Sequence, residues 1–178
     1  MAWFRTAAKD ADSNEEEARF RRSYARAMRA LSSFEFESAQ RQFETLYSHY
    51  PEHTILLDHL YQLAKLRPDR PDYEQRTREL ITEMLRRNDT QGVLRVWREY
   101  VRLGEPHHPL PAETHNRVFL AALRAGELQS AERAFDRLRS TGDRLLSEEA
   151  CRLLLSESER QGLATRVRHY QRLLEYGI

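Results

Sequence analysis

Apolar residues recur at three- and four-residue steps along nearly the whole 178-residue chain, in blocks of similar length. That spacing is helical, because side chains three and four apart share one helix face, whereas a strand alternates its faces. Within it, SAQRQFETL (38–46) and SAERAFDRL (130–138) share five identical residues at a separation of 92. Ala39, Phe43 and Leu46, like Ala131, Phe135 and Leu138, fall at i, i+4 and i+7. This is a packing stripe: the small residue lets two backbones approach, and the aromatic fills the groove to the neighbouring helix. Ser38 and Ser130 point away from it, and neither has a histidine at the spacing of an activated nucleophile. The repeated phrase is therefore architecture rather than chemistry.

The pattern predicts nine helices and no strand, an all-α protein. The first is expected after a capping box of Ser13 and Glu16 and carries Phe20, Tyr24, Ala27, Met28 and Leu31. The second holds the phrase at 38–46 and stops at Pro51; the third places Leu56, Leu57, Leu60, Leu63 and Ala64 on one face. Tyr73, Leu80, Ile81, Met84 and Leu85 mark the fourth. Asp89 or Thr90 is expected to cap the fifth, whose inward residues are Val93, Val96, Trp97, Tyr100 and Leu103. The segment GEPHHPLP (104–111) reads as a linker, with Pro111 suited to a first helical position. The sixth runs through Val118, Phe119, Ala122 and Leu123 to Gly126, and the seventh holds the phrase at 130–138 and ends near Gly142. Ser147 is expected to cap the eighth, which breaks at Gly162; the ninth carries Val167, Tyr170, Leu173 and Leu174.

Shifting the chain by 35 residues superposes Phe119 on Leu154, Phe135 on Tyr170 and Gly142 on Gly177; a shift of 70 puts Gln91-Gly92 on Gln161-Gly162. Helices four to nine thus read as three successive hairpins, helices one and two as another, and helix three as an interruption. Periods of this length mark helical solenoids. The expected fold is an α-α superhelix of about four antiparallel hairpins plus one extra helix. It forms a single domain over 14–178, behind a flexible lead at 1–13, with the loop 104–111 between its halves. Trp3 and Phe4 are an apolar pair on that lead, a frayed end or the stub of something preceding it.

Composition narrows the chemistry. The 29 basic residues are arginine except for Lys9 and Lys65, but 28 acids offset them, and the half from Gln91 onward is nearly as acidic as it is basic. A strong electrostatic footprint for nucleic acid is absent at this level. The single cysteine, Cys151, excludes an internal disulfide and fits a reducing compartment. No apolar run reaches the length of a membrane span. His49, His53 and His59 cluster in sequence, but Pro51 keeps the first two off one helical face, and His107 and His108 have only Glu105 near. Neither a GxxxxGK[ST] loop nor a GxGxxG fingerprint is present. The expectation is a chain without metal or cofactor and without enzymatic activity.

Gly126-Glu127-Leu128 with Ala131, Phe135 and Leu138 resembles the helix-turn-helix junction of a tetratricopeptide repeat, and Ala39, Phe43, Leu46 and Pro51 resemble the same family's second helix and closing proline. The first helices depart from it, carrying His115, Val118 and Phe119 at the family's Trp, Leu and Gly positions, so the chain is tetratricopeptide-like. The resemblance implies a protein or peptide ligand on the concave face of the first helices, with Asp58, Gln62, Lys65, Asn116 and Arg124 facing it. The hairpin opened by Thr114-His115-Asn116 is also similar to pentatricopeptide repeats, which implies single-stranded RNA as the alternative ligand, with Asn116 at a base-reading position and Cys151 at the next. More loosely, FEFESAQRQFETL, HLYQLAKLRPDRPDY, the HHPLP linker and GELQSAERAFDRL resemble the soluble helical tail of some bacterial rhomboid-family membrane proteins. That likeness implies a cytoplasmic regulatory or interaction role, tethered to a membrane protein, without the peptidase core.

Overall fold

In the computed structural model the described residues are 2–67, 69–105 and 107–177, with side chains in the first helix from Asn14 onward. The lead at 1–13, with Trp3 and Phe4, and the capping hydroxyl expected of Ser13 fall outside the described side chains. Nine α-helices follow one another among the described residues. They are α1 (Ala2–Ser32), α2 (Phe36–His49), α3 (Thr54–Lys65), α4 (Pro71–Arg86), α5 (Thr90–Leu103), α6 (Ala112–Arg124), α7 (Leu128–Ser140), α8 (Arg144–Arg160) and α9 (Ala164–Tyr176). Contacts divide the chain into two compact units, Met1–Arg67 with α1–α3 and Pro68–Ile178 with α4–α9. The 104–111 segment lies inside the second of these.

In the first unit, α2 packs on α1 and α3 packs on α2. Ala39, Phe43 and Leu46 are buried together with Ala27, Ala30, Leu56, Leu60 and Leu63. The alanines do here what their size suggests, since α1 and α2 can meet closely only where no larger side chain intervenes. In the second unit α4 packs on α5, α6 on α7 and α8 on α9, and α5–α6, α7–α8 and α6–α8 contacts join these pairs. Ala131 and Leu138 are fully buried and Phe135 almost so.

One turn design recurs four times. After α1, α4, α6 and α8, a residue with left-handed backbone closes the helix: Phe34 (φ 61°), Asn88 (φ 58°), Gly126 (φ 73°) and Gly162 (φ 69°). The next amide then donates to a carbonyl five residues back: Glu35 to Ala30, Asp89 to Met84, Glu127 to Ala122, Leu163 to Ser158. This is the Schellman closure, which satisfies helix-end carbonyls and reverses the chain in the fewest residues. The step from Phe34 to Gly126 is the same 92 residues that separates the two phrases, so the phrases repeat because the turns do.

The turns also correct the register. Asn88, not Gly92, is the counterpart of Gly162, and Gly92 lies buried in the first turn of α5. It is glycine because a β-carbon there would sit 2.2 Å from Asp89 Oδ2, the carboxylate that caps the helix by accepting from the Gly92 amide. Counted from the turns, Val93, Trp97 and Tyr100 occupy the same places as Ala39, Phe43, Leu46 and as Ala131, Phe135, Leu138. The stripe therefore has a third copy that residue identity conceals.

Two caps also move. Asp143, in place of Ser147, caps α8 by accepting from the Leu146 amide, and the Ser147 hydroxyl donates back to the Asp143 carbonyl inside the helix. The carboxylate sits directly after the left-handed Gly142, where the first free amides converge. Pro111 is the residue before α6 rather than its first helical residue. Asp89 caps α5 as expected, and α2 ends at His49, ahead of Pro51.

Candidate functional site

The five positions expected to face a ligand fall in both units. Asp58, Gln62 and Lys65 share one face of α3 in the first, Asp58 and Lys65 half-buried and Gln62 exposed. Asn116 and Arg124 lie on α6 in the second, the former half-buried and the latter exposed. Arg124 lines a concavity of about 440 Å³ with Leu85, Asn88, Thr90, Arg117 and Leu120, where the α4–α5 turn meets α6; Asn116 does not line it. Arg117 is engaged with Glu113 one turn earlier, which leaves Arg124 as the charge turned to this hollow.

The histidines of the first unit act as packing groups. His59 stacks on Phe43 with ring centres 4.7 Å apart, and its Nε2 lies 2.8 Å from the Tyr24 hydroxyl. Burial lowers its pKa, against a smaller upward pull from Asp58. His53 stacks on Phe20 at 4.0 Å. Among the described residues, no three metal-binding side chains converge.

The second unit holds an arrangement that sequence spacing gave no means to find. Trp97 Nε1–H donates to His115 Nδ1 at 3.2 Å, and His115 Nε2 lies 3.0 Å from Glu105 Oε1. Indole nitrogen can only donate, so Nδ1 must accept, and Nε2 carries the proton given to the carboxylate. His115 is 1% exposed, and Glu105 side-chain exposure is 11%. The Arg137 guanidinium lies 3.3 Å from Glu105 Oε2 but is not aligned to donate, so that buried oxygen makes no hydrogen bond. The partners come from α5, α6, α7 and the loop between α5 and α6. Further along that loop, Tyr100 donates its hydroxyl to the His108 carbonyl, and His108 Nε2 lies 2.7 Å from the Asp69 carbonyl. The segment read as a linker is thus pinned at several points.

Trp97 and Arg137 of this arrangement also line a groove between α5 and α7. Arg98, Val101 and Arg102 of α5 face Arg133, Asp136 and Arg137 of α7 across a hollow of about 570 Å³. Arg98 is shared with a second hollow of about 590 Å³ that includes Arg95, and Arg137 and Ser140 with a third of about 720 Å³ under the 109–112 segment. Comparison of the chain with family models, curated proteins and solved structures finds no match.

Proposed function

We propose that the chain is a non-enzymatic interaction module, a tetratricopeptide-like α-solenoid of about four hairpins with α3 as the extra helix, which binds a protein or peptide. The recurrence of one turn design at Phe34, Asn88, Gly126 and Gly162 carries the reading, because it implies one hairpin unit used repeatedly. Repeated hairpins present long polar faces, and such faces recognise partners by complementarity rather than by a reacting group. In this reading Asp58, Gln62 and Lys65 on α3, and Asn116 and Arg124 on α6, contact the partner. The chemistry-bearing side chains support it too: His59, His53 and His115 are held in stacking or hydrogen bonds within the fold. The module could equally serve as the cytoplasmic part of a membrane protein; among the described residues no helix is long and apolar enough to cross a bilayer.

Photocrosslinking groups at Gln62, Asn116 and Arg124, activated in cells producing the protein, test the reading. The expected result is a discrete protein adduct that disappears with Arg124→Glu. Adducts to RNA alone, or no macromolecular adduct from any of the three positions, would overturn it.

A further inference from the structure

The geometry points to the α5–α7 groove as a binding track for an acidic peptide segment, a partner class that deepens the interaction-module reading and rests on it.

Arg78, Arg86, Arg152 and Arg160 each pair with a glutamate of their own helix three or four residues before, and Arg166 pairs with Glu132. Arg98, Arg102 and Arg133 have no carboxylate within ion-pair distance among the described residues, and all three are exposed. Arg98 is anchored only by donating to the Leu94 carbonyl of its own helix. The acids along the track are mostly committed elsewhere. Asp89 caps α5, Asp143 caps α8, and Glu105 is held by His115. Asp136 is left as the one exposed carboxylate in the central hollow, against four arginines. A near-neutral chain thus carries a locally cationic central hollow, and arginine forks suit carboxylate groups in particular.

Shape selects the occupant further. The central hollow shares Arg98 with the second and Arg137 and Ser140 with the third, so the concavities are neighbours rather than one round cavity. An extended chain fits them better than a compact metabolite. Single-stranded nucleic acid would also supply negative charge, but it draws much of its affinity from bases stacked on open aromatic rings. The aromatic ring that lines the central hollow, Trp97, is 2% exposed and closed to stacking. Carboxylates spaced along a peptide need no such platform. The buried Trp97–His115–Glu105 network ties α5 to α6 and to the loop between them, and the Arg137 guanidinium of α7 lies 3.3 Å from the same carboxylate, so the α5 wall and Arg137 are held before any partner binds.

The test measures anisotropy of a fluorescein-labelled glutamate-rich dodecapeptide, its glutamine counterpart and an oligouridylate of equal length, against the whole chain. The glutamate peptide is expected to bind, to weaken as salt rises, and to bind at least about tenfold more tightly than the glutamine peptide. The variant Arg98→Gln/Arg102→Gln/Arg133→Gln, all exposed positions, should lose that binding with its helical circular dichroism unchanged. The variant Arg144→Gln/Arg168→Gln/Arg172→Gln removes as much charge from α8 and α9 and should bind as wild type does. Equal losses in both variants, no preference for glutamate over glutamine, or tighter binding of the oligouridylate would each overturn the inference. If the peptide arm fails while crosslinks from Asn116 and Arg124 still reach a protein, this inference falls and the interaction-module reading stands. If crosslinks from Gln62, Asn116 and Arg124 all reach no protein, the reading itself falls.

Discussion

Trp97 and His115, 18 residues apart on successive helices, are joined by one buried hydrogen bond in which the indole N–H fixes the imidazole tautomer. Everything polar around them depends on that choice, because His115 must turn its remaining proton toward Glu105.

Removing His115 should therefore cost more than removing Trp97's donor. Trp97→Phe strands one acceptor and is expected to destabilise by about 1–3 kcal/mol. His115→Leu leaves the Glu105 carboxylate without its neutral donor, with Arg137 still beside it, and stranding a buried charged acceptor costs more than the about 1–3 kcal/mol of a neutral one. Glu105→Gln combined with His115→Leu should recover part of that loss, since the carboxylate that lost its donor is gone. Urea midpoints of the single and double variants provide the check, and strict additivity would show that the pair is not coupled.

The four equivalent turns do not contain equally suited residues. Phe34 adopts φ 61° although its ring is 78% exposed and gains little from packing. A left-handed backbone costs a non-glycine residue about 1–2 kcal/mol, so Phe34→Gly is expected to stabilise by a fraction of that. Gly126→Ala is the opposite experiment. A β-carbon there meets nothing within 4 Å, so the whole expected loss of about 1 kcal/mol is backbone conformation. Thermal or urea unfolding of both variants should move in opposite directions; shifts of the same sign would contradict the shared turn design.

Sequence spacing recovers short-range features and loses long-range ones. Ala39, Phe43, Leu46 and their counterparts at 131, 135 and 138 are legible because one helix face is written at intervals of three and four. The third stripe, Val93-Trp97-Tyr100, escapes because packing needs volume and not identity, so Trp replaces Phe and Val replaces Ala without any shared letter. The Gln-Gly pairs at 91 and 161 mislead for the same reason: Gly92 answers to the Asp89 cap and Gly162 to a left-handed turn. The Trp97–His115–Glu105 network and the α5–α7 channel are assembled from separate helices, and no local spacing encodes which arginines find a carboxylate. Charge summed over half the chain averages that channel away.

The two copies of the phrase make a matched pair of stability probes. Phe43 is fully buried and Phe135 is 2% exposed, so Phe43→Ala and Phe135→Ala are each expected to cost about 3–5 kcal/mol. Because the residues belong to different units, hydrogen exchange should accelerate most in 1–67 for the first variant and in 68–178 for the second. Unfolding midpoints equal to wild type would show that neither ring is core.

His59 makes the first unit sensitive to acid. Burial lowers its pKa in the folded state below the ordinary value of about 6.5, so the unfolded chain takes up the proton more readily. Its contribution is complete above that ordinary value and declines as pH falls below it, continuing until the lowered folded pKa is passed. Protonation also disturbs the contact with Tyr24 if the hydroxyl donates to Nε2, because a charged imidazole has no acceptor there. The urea midpoint of wild type should therefore drop between pH 7.5 and pH 5.5 (about one unit either side of the ordinary value) by more than that of His59→Gln. His59→Gln keeps a polar group near Tyr24 but cannot titrate, so the difference between the two slopes isolates the imidazole. Parallel pH profiles would assign the acid sensitivity to another group.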